Sequence, residues 1–181
     1  MTVQTSLTVD EFDRLVESED ADRRLEYIGG EIVEGVSNSY SSLVAGNLFF
    51  FIKLYLRDHG LWAYVTGEAG GYMVAGERYM PDVGVISKTR QTEEPHDTWI
   101  PIPPDLAVEV LSPTDKPNVV SVKVVNYLSA GTTVWIVDPE NKVVKICVPG
   151  QRVKTVGLDS SLDGGDVLPG FTLAVKDIFA S

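Results

Sequence analysis

Two carboxylates interrupt apolar stretches of the chain that are typical of buried β-strands. Asp82 lies in the stretch "MPDVGVIS", and Glu109 lies in the stretch "LAVEVLSP". An unpaired carboxylate is costly to bury, and without a partner its pKa shifts until the group is neutral. A metal ion or a cationic side chain removes that cost. The two stretches therefore suggest acids that are retained for their chemistry.

The alternation of side chains along a strand shows where these acids should point. In the strand predicted over residues 105–111, positions 106–111 are apolar on both faces apart from Glu109. This is the pattern of a central strand covered on both sides, so we expect Glu109 to be removed from water. Asp82 belongs to a second strand, predicted over residues 79–87.

A lysine is out of pattern on the helix predicted over residues 118–130. At about 100° per residue, Lys123 falls on the inward arc of this helix, whereas Asn126 falls on the arc expected to face water. Lys123 either extends its ammonium group outward along an apolar stem or pairs with the strand carboxylates. Val122 and Val125 lie on the polar arc, which makes them candidates for a subunit interface.

Together these side chains form a recognisable chemical set. Asp82 and Glu109, with a main-chain carbonyl such as that of Val110, offer the hard oxygen ligands that suit Mg²⁺ or Mn²⁺. Such a metal polarises a phosphoryl oxygen and lowers the pKa of bound water, and Lys123 can orient that water and stabilise developing negative charge. The set predicts metal-assisted phosphodiester hydrolysis. The alternatives are a turn carboxylate after proline for Asp82 and a buried ion pair for Glu109.

The elements that must position this set follow from capping, turn and periodicity signals along the chain. We expect an α/β (α+β) fold over a single domain, residues 1–181, with a mixed β-sheet flanked by helices and an N-terminal β-hairpin at Gly29-Gly30. Residues 88–104 are predicted to form a surface loop. The predicted helices cover residues 8–18, 39–60 and 118–130, and the further predicted strands cover 61–67, 71–75, 132–139, 142–150 and 152–158.

Composition limits the partners. The net charge of -11 argues against tight, non-specific DNA coating, although a metal ion or a local basic patch can still neutralise phosphates. The single cysteine, Cys147, excludes a disulfide framework. No apolar run approaches the roughly 20 residues of a membrane span, and the N-terminus is not a signal peptide. We therefore expect a cytoplasmic protein with no membrane partner.

The order of these residues resembles the motif of the PD-(D/E)XK nuclease superfamily. Pro81-Asp82 corresponds to "PD" and Glu109 opens "EVL", with Leu111 where that superfamily usually has its lysine. Lys123 on the following helix would replace it. This migrated-lysine pattern is similar to the Uma-two-type restriction endonucleases. The resemblance also covers "LEYIGGEIVE", "PDLAVEVLSPTDK", "KVVNYLSAGTTVWIVDPENKVV" and "LDGGDVLPGFTL".

The resemblance implies a restriction-endonuclease-like core with Asp82 and Glu109 as metal ligands and Lys123 as the catalytic lysine. It adds two further acids, Glu68 before a Gly-Gly pair and Glu34 after the hairpin. For Glu34, the alternative is a solvated carboxylate of the hairpin.

The activity so implied is Mg²⁺-dependent (or Mn²⁺-dependent) DNA cleavage by a homodimer. Similar proteins often carry a histidine at the start of the long helix, where this chain has Tyr40, Ser41 and Ser42. Its loss, with the acidic charge, leaves open a catalytically silent protein of the same fold that binds a partner. A metal-dependent phosphatase or nucleotidase would use the same ligands on a smaller substrate.

Overall fold

The architecture is known from a computed structural model that describes residues 7–18, 24–35 and 38–180. The helices are α1 (Val9–Ser18), α2 (Ser39–Asp58), α3 (Pro117–Ser129) and α4 (Val175–Ile178). The strands are β1 (Leu25–Ile28), β2 (Glu31–Glu34), β3 (Ala63–Thr66), β4 (Gly71–Val74), β5 (Glu77–Tyr79), β6 (Val83–Ser87), β7 (Trp99–Ile100), β8 (Leu106–Val110), β9 (Thr133–Asp138), β10 (Val143–Cys147), β11 (Lys154–Gly157), β12 (Ser161–Asp163) and β13 (Thr172–Ala174). Within this described part, no helix has the length and apolar character needed to cross a bilayer.

A six-stranded mixed sheet forms the centre, in the order β11-β10-β9-β8-β6-β3. Strands β8 and β9 are parallel and are joined by α3, while the other neighbouring pairs are antiparallel. The predicted mixed sheet flanked by helices is confirmed. Strand β8 lies inside this sheet between β6 and β9, so the strand that carries Glu109 is covered on both faces as the pattern indicated.

A second sheet, in the order β2-β1-β5-β4-β7, packs on one side of the first. The predicted N-terminal hairpin supplies two of its strands. Ile28 pairs with Glu31 across the turn, and Gly29 and Gly30 have φ angles of 61° and 84°, which glycine adopts readily. This five-stranded sheet was not foreseen as a separate layer.

The prediction of one continuous strand over 79–87 is wrong. Strand β5 ends at Tyr79 and β6 begins at Val83, so the chain passes from one sheet to the other between them. The main chain of Met80 is held by side chains of the hairpin region: its N–H donates to Glu26 Oε1 at 2.6 Å and its carbonyl accepts from Arg24 Nη2 at 2.8 Å. These bonds replace the ladder bonds of a strand and set the approach to Asp82.

Two smaller expectations also need correction. The segment 88–104 is not wholly a surface loop, because the buried residues Trp99 and Ile100 form β7 and pair in parallel with β4. Asn126 does not face water. It is half-buried and donates from Nδ2 to the Tyr79 hydroxyl at 2.6 Å and to Glu77 Oε2 at 3.2 Å.

Apolar packing holds the three layers in register. On one face of the central sheet, the buried side of α2, including Val44, Leu48 and Ile52, joins the same core as Val108 of β8. On the opposite face, Tyr127 of α3 packs with the second sheet. Since α3 is fixed between β1 and β9, the side chain of a residue on its inner arc must end between the two sheets.

Candidate active site

Four elements bring charged side chains to one cavity of about 350 Å³. Strand β1 supplies Glu26, the crossing between the sheets supplies Asp82, the end of β8 supplies Glu109, and the second turn of α3 supplies Lys123. All four side chains line this cavity, and each of the four residues is at most 9% exposed. The structure therefore brings together three residues that the sequence nominated and one that it did not.

Lys123 lies at the centre of an acid cluster and does not extend its ammonium group to solvent. Its Nζ donates to Glu109 Oε2 at 2.8 Å and lies 2.7 Å from Oε1, the latter an ion-pair contact without hydrogen-bond geometry. The same Nζ lies 2.9 Å from Glu26 Oε1 and 5.7 Å from the centroid of the Tyr79 ring. Of the two readings left open by the helical pattern, the structure shows the paired lysine.

Asp82 is held by the main chain at the end of the central strand. Its Oδ2 accepts from the Val110 N–H at 2.6 Å, and its Oδ1 accepts from Arg24 Nη2 at 3.1 Å. The first bond ties Asp82 directly to the residue that follows Glu109. This explains how two acids 27 positions apart in the chain come to share one cavity.

Arg24 connects this region to the other predicted acids. Its Nη1 lies 3.6 Å from Glu68 Oε2, an ion-pair distance that is too long for a hydrogen bond. Gly35 makes room for the arginine stem, because a Cβ at that position would lie 3.0 Å from Arg24 Cδ. Arg24 thus lies against the wall of the cavity, with its guanidinium group between Asp82 and Glu68.

The remaining nominated acids lie at the edge. Glu68 is in the turn between β3 and β4, and its side chain is 36% exposed and contacts the cavity through Arg24. Glu34, the last residue of β2, is exposed and lines the cavity. Val110 also lines it, with its N–H engaged by Asp82.

The electrostatics of the cavity show a surplus of acid. Burial raises the pKa of Glu109 to about 7; Lys123 acts to lower it, while the neighbouring Glu26 and Asp82 act to raise it further. Burial alone lowers the pKa of Lys123, but the carboxylates of Glu109 and Glu26 outweigh burial and raise it above its ordinary value. Among the described residues, the three buried carboxylates of Glu26, Asp82 and Glu109 therefore share two cations, Lys123 and Arg24.

A hard divalent cation fits the donor chemistry of this cavity. Within the described ranges, no three acidic, histidine or cysteine side chains already converge as a coordination shell. The carboxylates of Asp82 and Glu109 point instead at Arg24 and Lys123. However, carboxylate oxygens have several acceptor positions each, and the surplus negative charge favours an additional cation. Binding a metal would loosen at least one of these ion pairs.

Glu26 and Arg24 are the residues that reasoning from sequence missed. Glu26 carried the same signal as Asp82 and Glu109, since in "LEYI" it shares a strand face with the buried Ile28. Arg24 carried no such signal, because it directly precedes the strand and its partners lie far along the chain.

The start of α2 lies beside the cavity. Ser41 is buried and donates from Oγ to the Leu111 carbonyl at 3.0 Å, so it joins α2 to the end of β8. Tyr40 is 39% exposed and lines an adjoining cavity of about 720 Å³. Of the three residues named for the place of the family's histidine, Ser41 therefore has a structural partner and Tyr40 faces open space.

Comparison with known proteins places the chain in a family. Residues 9–176 match the Uma2 family, whose description is "Putative restriction endonuclease". The chain belongs to the Uma2 family. Its fold is similar to the crystal structure of a protein from Anabaena variabilis described as a putative nuclease belonging to DUF820, with a TM-score of 0.83 and 23% sequence identity over 96% of this chain and 97% of that one. No curated protein matches the chain. The restriction-endonuclease-like fold predicted from the sequence is confirmed, and the Uma2 assignment indicates a nuclease.

Proposed function

We propose that the protein is a Mg²⁺- or Mn²⁺-dependent endodeoxyribonuclease that hydrolyses phosphodiester bonds. The observation that carries the proposal is the meeting of Asp82, Glu109 and Lys123 on one cavity, in a chain of the family described as "Putative restriction endonuclease". Buried, hydrogen-bonded charges at a cavity are typical of functional sites.

Each residue of the site has a defined task in this proposal. Asp82 and Glu109, with the Val110 carbonyl, would hold the cation, which supplies Lewis-acid polarisation of a phosphoryl oxygen. Lys123 is fixed by two carboxylates, so its ammonium group is oriented before substrate arrives. It would donate to the oxygen on which negative charge develops. Glu34 and Glu68 are proposed as supporting acids, Glu34 at the cavity edge and Glu68 through Arg24.

DNA would approach along the loop that follows β8. Lys116 is exposed at the start of α3 and lines the cavity, so it can contact a phosphate next to the one that is cleaved. A homodimer would place two such cavities on opposite strands. Val122 and Val125, which are 37% and 60% exposed on the outer side of α3, are its candidate contacts.

One observation favours a second candidate, a silent binding protein of the same fold. In the structure the carboxylates of Asp82 and Glu109 already have cationic partners, Arg24 and Lys123, so the fold does not need a metal to neutralise them. This candidate predicts no cleavage and no metal affinity at Asp82. The nuclease would show both cleavage and metal affinity, so the two candidates differ in both measurements.

The test is cleavage of supercoiled plasmid in Mg²⁺ or Mn²⁺ by three proteins: the wild type, Lys123→Ala and Lys145→Ala. Lys145 is an exposed lysine on β10 outside the cavity and serves as the matched control. We expect nicking by the wild type and the control, and a loss of about 10²-fold or more in Lys123→Ala, because one preorganised donor contributes about that much. Mn²⁺ binding should persist in Lys123→Ala.

Each other outcome has a definite meaning. Equal nicking by all three proteins would show that Lys123 has no catalytic role. No nicking by any of them, together with no metal binding, would favour the silent binding protein. Release of phosphate from mononucleotides without plasmid nicking would identify a phosphatase or nucleotidase.

A further inference from the structure

We propose that Arg24 and the divalent cation compete for Asp82, and that metal binding frees the Arg24 guanidinium group to hold a phosphate of the substrate. This inference rests on the proposed function and concerns how its two ligands, metal and nucleic acid, are coupled. It assigns a phosphate-binding role to a residue that neither the motif nor the resemblance nominated.

The contacts of Asp82 divide into one that a metal can replace and one that it need not disturb. The Val110 N–H holds Oδ2 at 2.6 Å, whereas Arg24 Nη2 holds Oδ1 at a longer 3.1 Å. The main-chain bond keeps the carboxylate in place without Arg24. A cation at Oδ1 can therefore displace the guanidinium group while Asp82 stays at the end of β8.

Arg24 has donors to spare for a new partner. Its Nη2 donates to Asp82 and to the Met80 carbonyl, while its buried Nε has no hydrogen-bond partner among residues 7–18, 24–35 and 38–180. Its Nη1 is at 3.6 Å from Glu68, outside hydrogen-bond range. An arginine offers five N–H donors in a planar fork that matches two phosphate oxygens.

Packing keeps the freed guanidinium group at the cavity. The Arg24 stem lies against Gly35, where an added Cβ would approach Cδ, Nε and Cγ within 3.0–3.2 Å. Glu68 offers a second, weaker attraction on the same side. The head group therefore remains near the site when its contact with Asp82 is lost.

Charge gives the exchange its direction. A divalent cation beside Asp82 neutralises the carboxylate that attracts Arg24 and repels the guanidinium group. A phosphodiester, which offers two oxygens to the arginine fork, would then compete with Glu68 for it. Because binding free energies are reciprocal, a phosphate that draws Arg24 away from Asp82 must also raise the affinity for metal. A chain with a net charge of -11 would thus gain affinity for DNA only when metal is present.

The first measurement is Mn²⁺ affinity by titration calorimetry, without DNA, for the wild type, Arg24→Gln and Arg24→Lys. Arg78→Gln is the control, because Arg78 is also an ion-paired arginine but contacts Asp13 away from the cavity. We expect Arg24→Gln to bind Mn²⁺ about fivefold or more tightly than the wild type, within the usual range of coupling between two ligands. Arg24→Lys should bind close to the wild type, and so should Arg78→Gln.

The second measurement is the affinity for a short DNA duplex in Ca²⁺, which takes similar oxygen ligands, and in EDTA. Arg24→Gln should weaken duplex binding about tenfold in Ca²⁺ and have little effect in EDTA, the opposite direction from its effect on metal. Thermal melting shows whether each variant is folded. If Arg24→Gln is not, Arg24→Lys still tests the proposal, because it keeps the charge and loses the fork, so duplex binding in Ca²⁺ should fall at least about threefold.

The results that overturn the inference differ from those that overturn the nuclease. Unchanged or weaker Mn²⁺ binding in Arg24→Gln, with normal metal binding by the wild type, would make Arg24 a residue that orients Asp82 and nothing more. Duplex binding that is unaffected by either Arg24 variant would remove the phosphate role. If the wild type binds no Mn²⁺, or binds it equally after Asp82→Asn, the metal site itself is wrong and both proposals fall.

Discussion

Two buried ion clusters lie on either side of the second sheet, and they are built differently. Arg78 of β5 meets Asp13 of α1 in a bidentate pair, with Nε 2.9 Å from Oδ1 and Nη2 2.6 Å from Oδ2. Lys123 instead faces the two carboxylates of Glu109 and Glu26, and a third acid, Asp82, lies close by. The first cluster has one acid for each cation, and the second has more acid than cation.

In the function proposed above, this difference separates a structural ion pair from the catalytic site. Nε and Nη2 of Arg78 pair with the single carboxylate of Asp13, and Nη1 donates to the Glu77 carbonyl, so this pair joins α1 to the sheet with its charges balanced. The Lys123 cluster opens on a cavity and keeps a surplus of negative charge at a cost in stability. Under the proposed function, a cation bound at the cavity would offset that surplus.

The largest effect should come from removing the acid that is tied to the main chain. In Asp82→Asn we expect Mn²⁺ binding to be lost and plasmid nicking to fall about 10³-fold or more, because the cation contributes several kcal/mol of charge stabilisation. Asp13→Asn, in the matched pair, should change neither property. Calorimetry and the nicking assay measure both. Metal affinity unchanged by Asp82→Asn would show that the metal lies elsewhere.

A smaller effect, on stability alone, is expected in the matched pair. Arg78→Gln leaves Asp13 without its partner and should lower the free energy of unfolding by about 3 kcal/mol or less, since Asp13 has a side chain that is 28% exposed. Urea unfolding measures the loss. Replacing both residues by apolar ones of similar size should recover part of it. If Arg78→Gln also altered Mn²⁺ affinity, the two clusters would not be independent.

The catalytic candidates could be found from sequence because each one breaks an apolar pattern. Asp82 and Glu109 interrupt strand-like stretches, and Lys123 lies on the inward arc of a helix, so burial made each of them conspicuous. Glu26 breaks the pattern of a four-residue strand in the same way and was detectable by the same reasoning. However, the strand is so short that only two residues, Glu26 and Ile28, share that face, so the alternating pattern was brief.

The division into two sheets could not be predicted from local pattern. Residues 79–87 look like one strand, and the break occurs because Arg24 and Glu26 bond the main chain of Met80 from a distant part of the chain. Arg24 has partners 56 and 58 positions away, which no local periodicity encodes. Asn126 was misplaced for a related reason, since its polar partners on β5 lie in the sheet that was not foreseen.

The subtlest difference between the two clusters is in how stability varies with pH without metal. Burial, with the negative charge of Glu26 and Asp82, raises the pKa of folded Glu109 from its ordinary 4.5 to about 7. The folded state then holds a proton on Glu109 that the unfolded state releases, so between pH 4.5 and pH 7 this residue lowers stability progressively as the pH rises.

Glu109→Gln removes this titration. In urea unfolding in EDTA from pH 4.5 to pH 8, the stability of the wild type should therefore fall relative to Glu109→Gln as the pH rises, and the difference should level off above about pH 7. The opposite slope would mean that Lys123 dominates and lowers the pKa of Glu109, as in a matched pair. The Lys123 cluster would then be electrically equivalent to the Arg78 pair, and its surplus of acid could no longer be taken as the mark of a metal site.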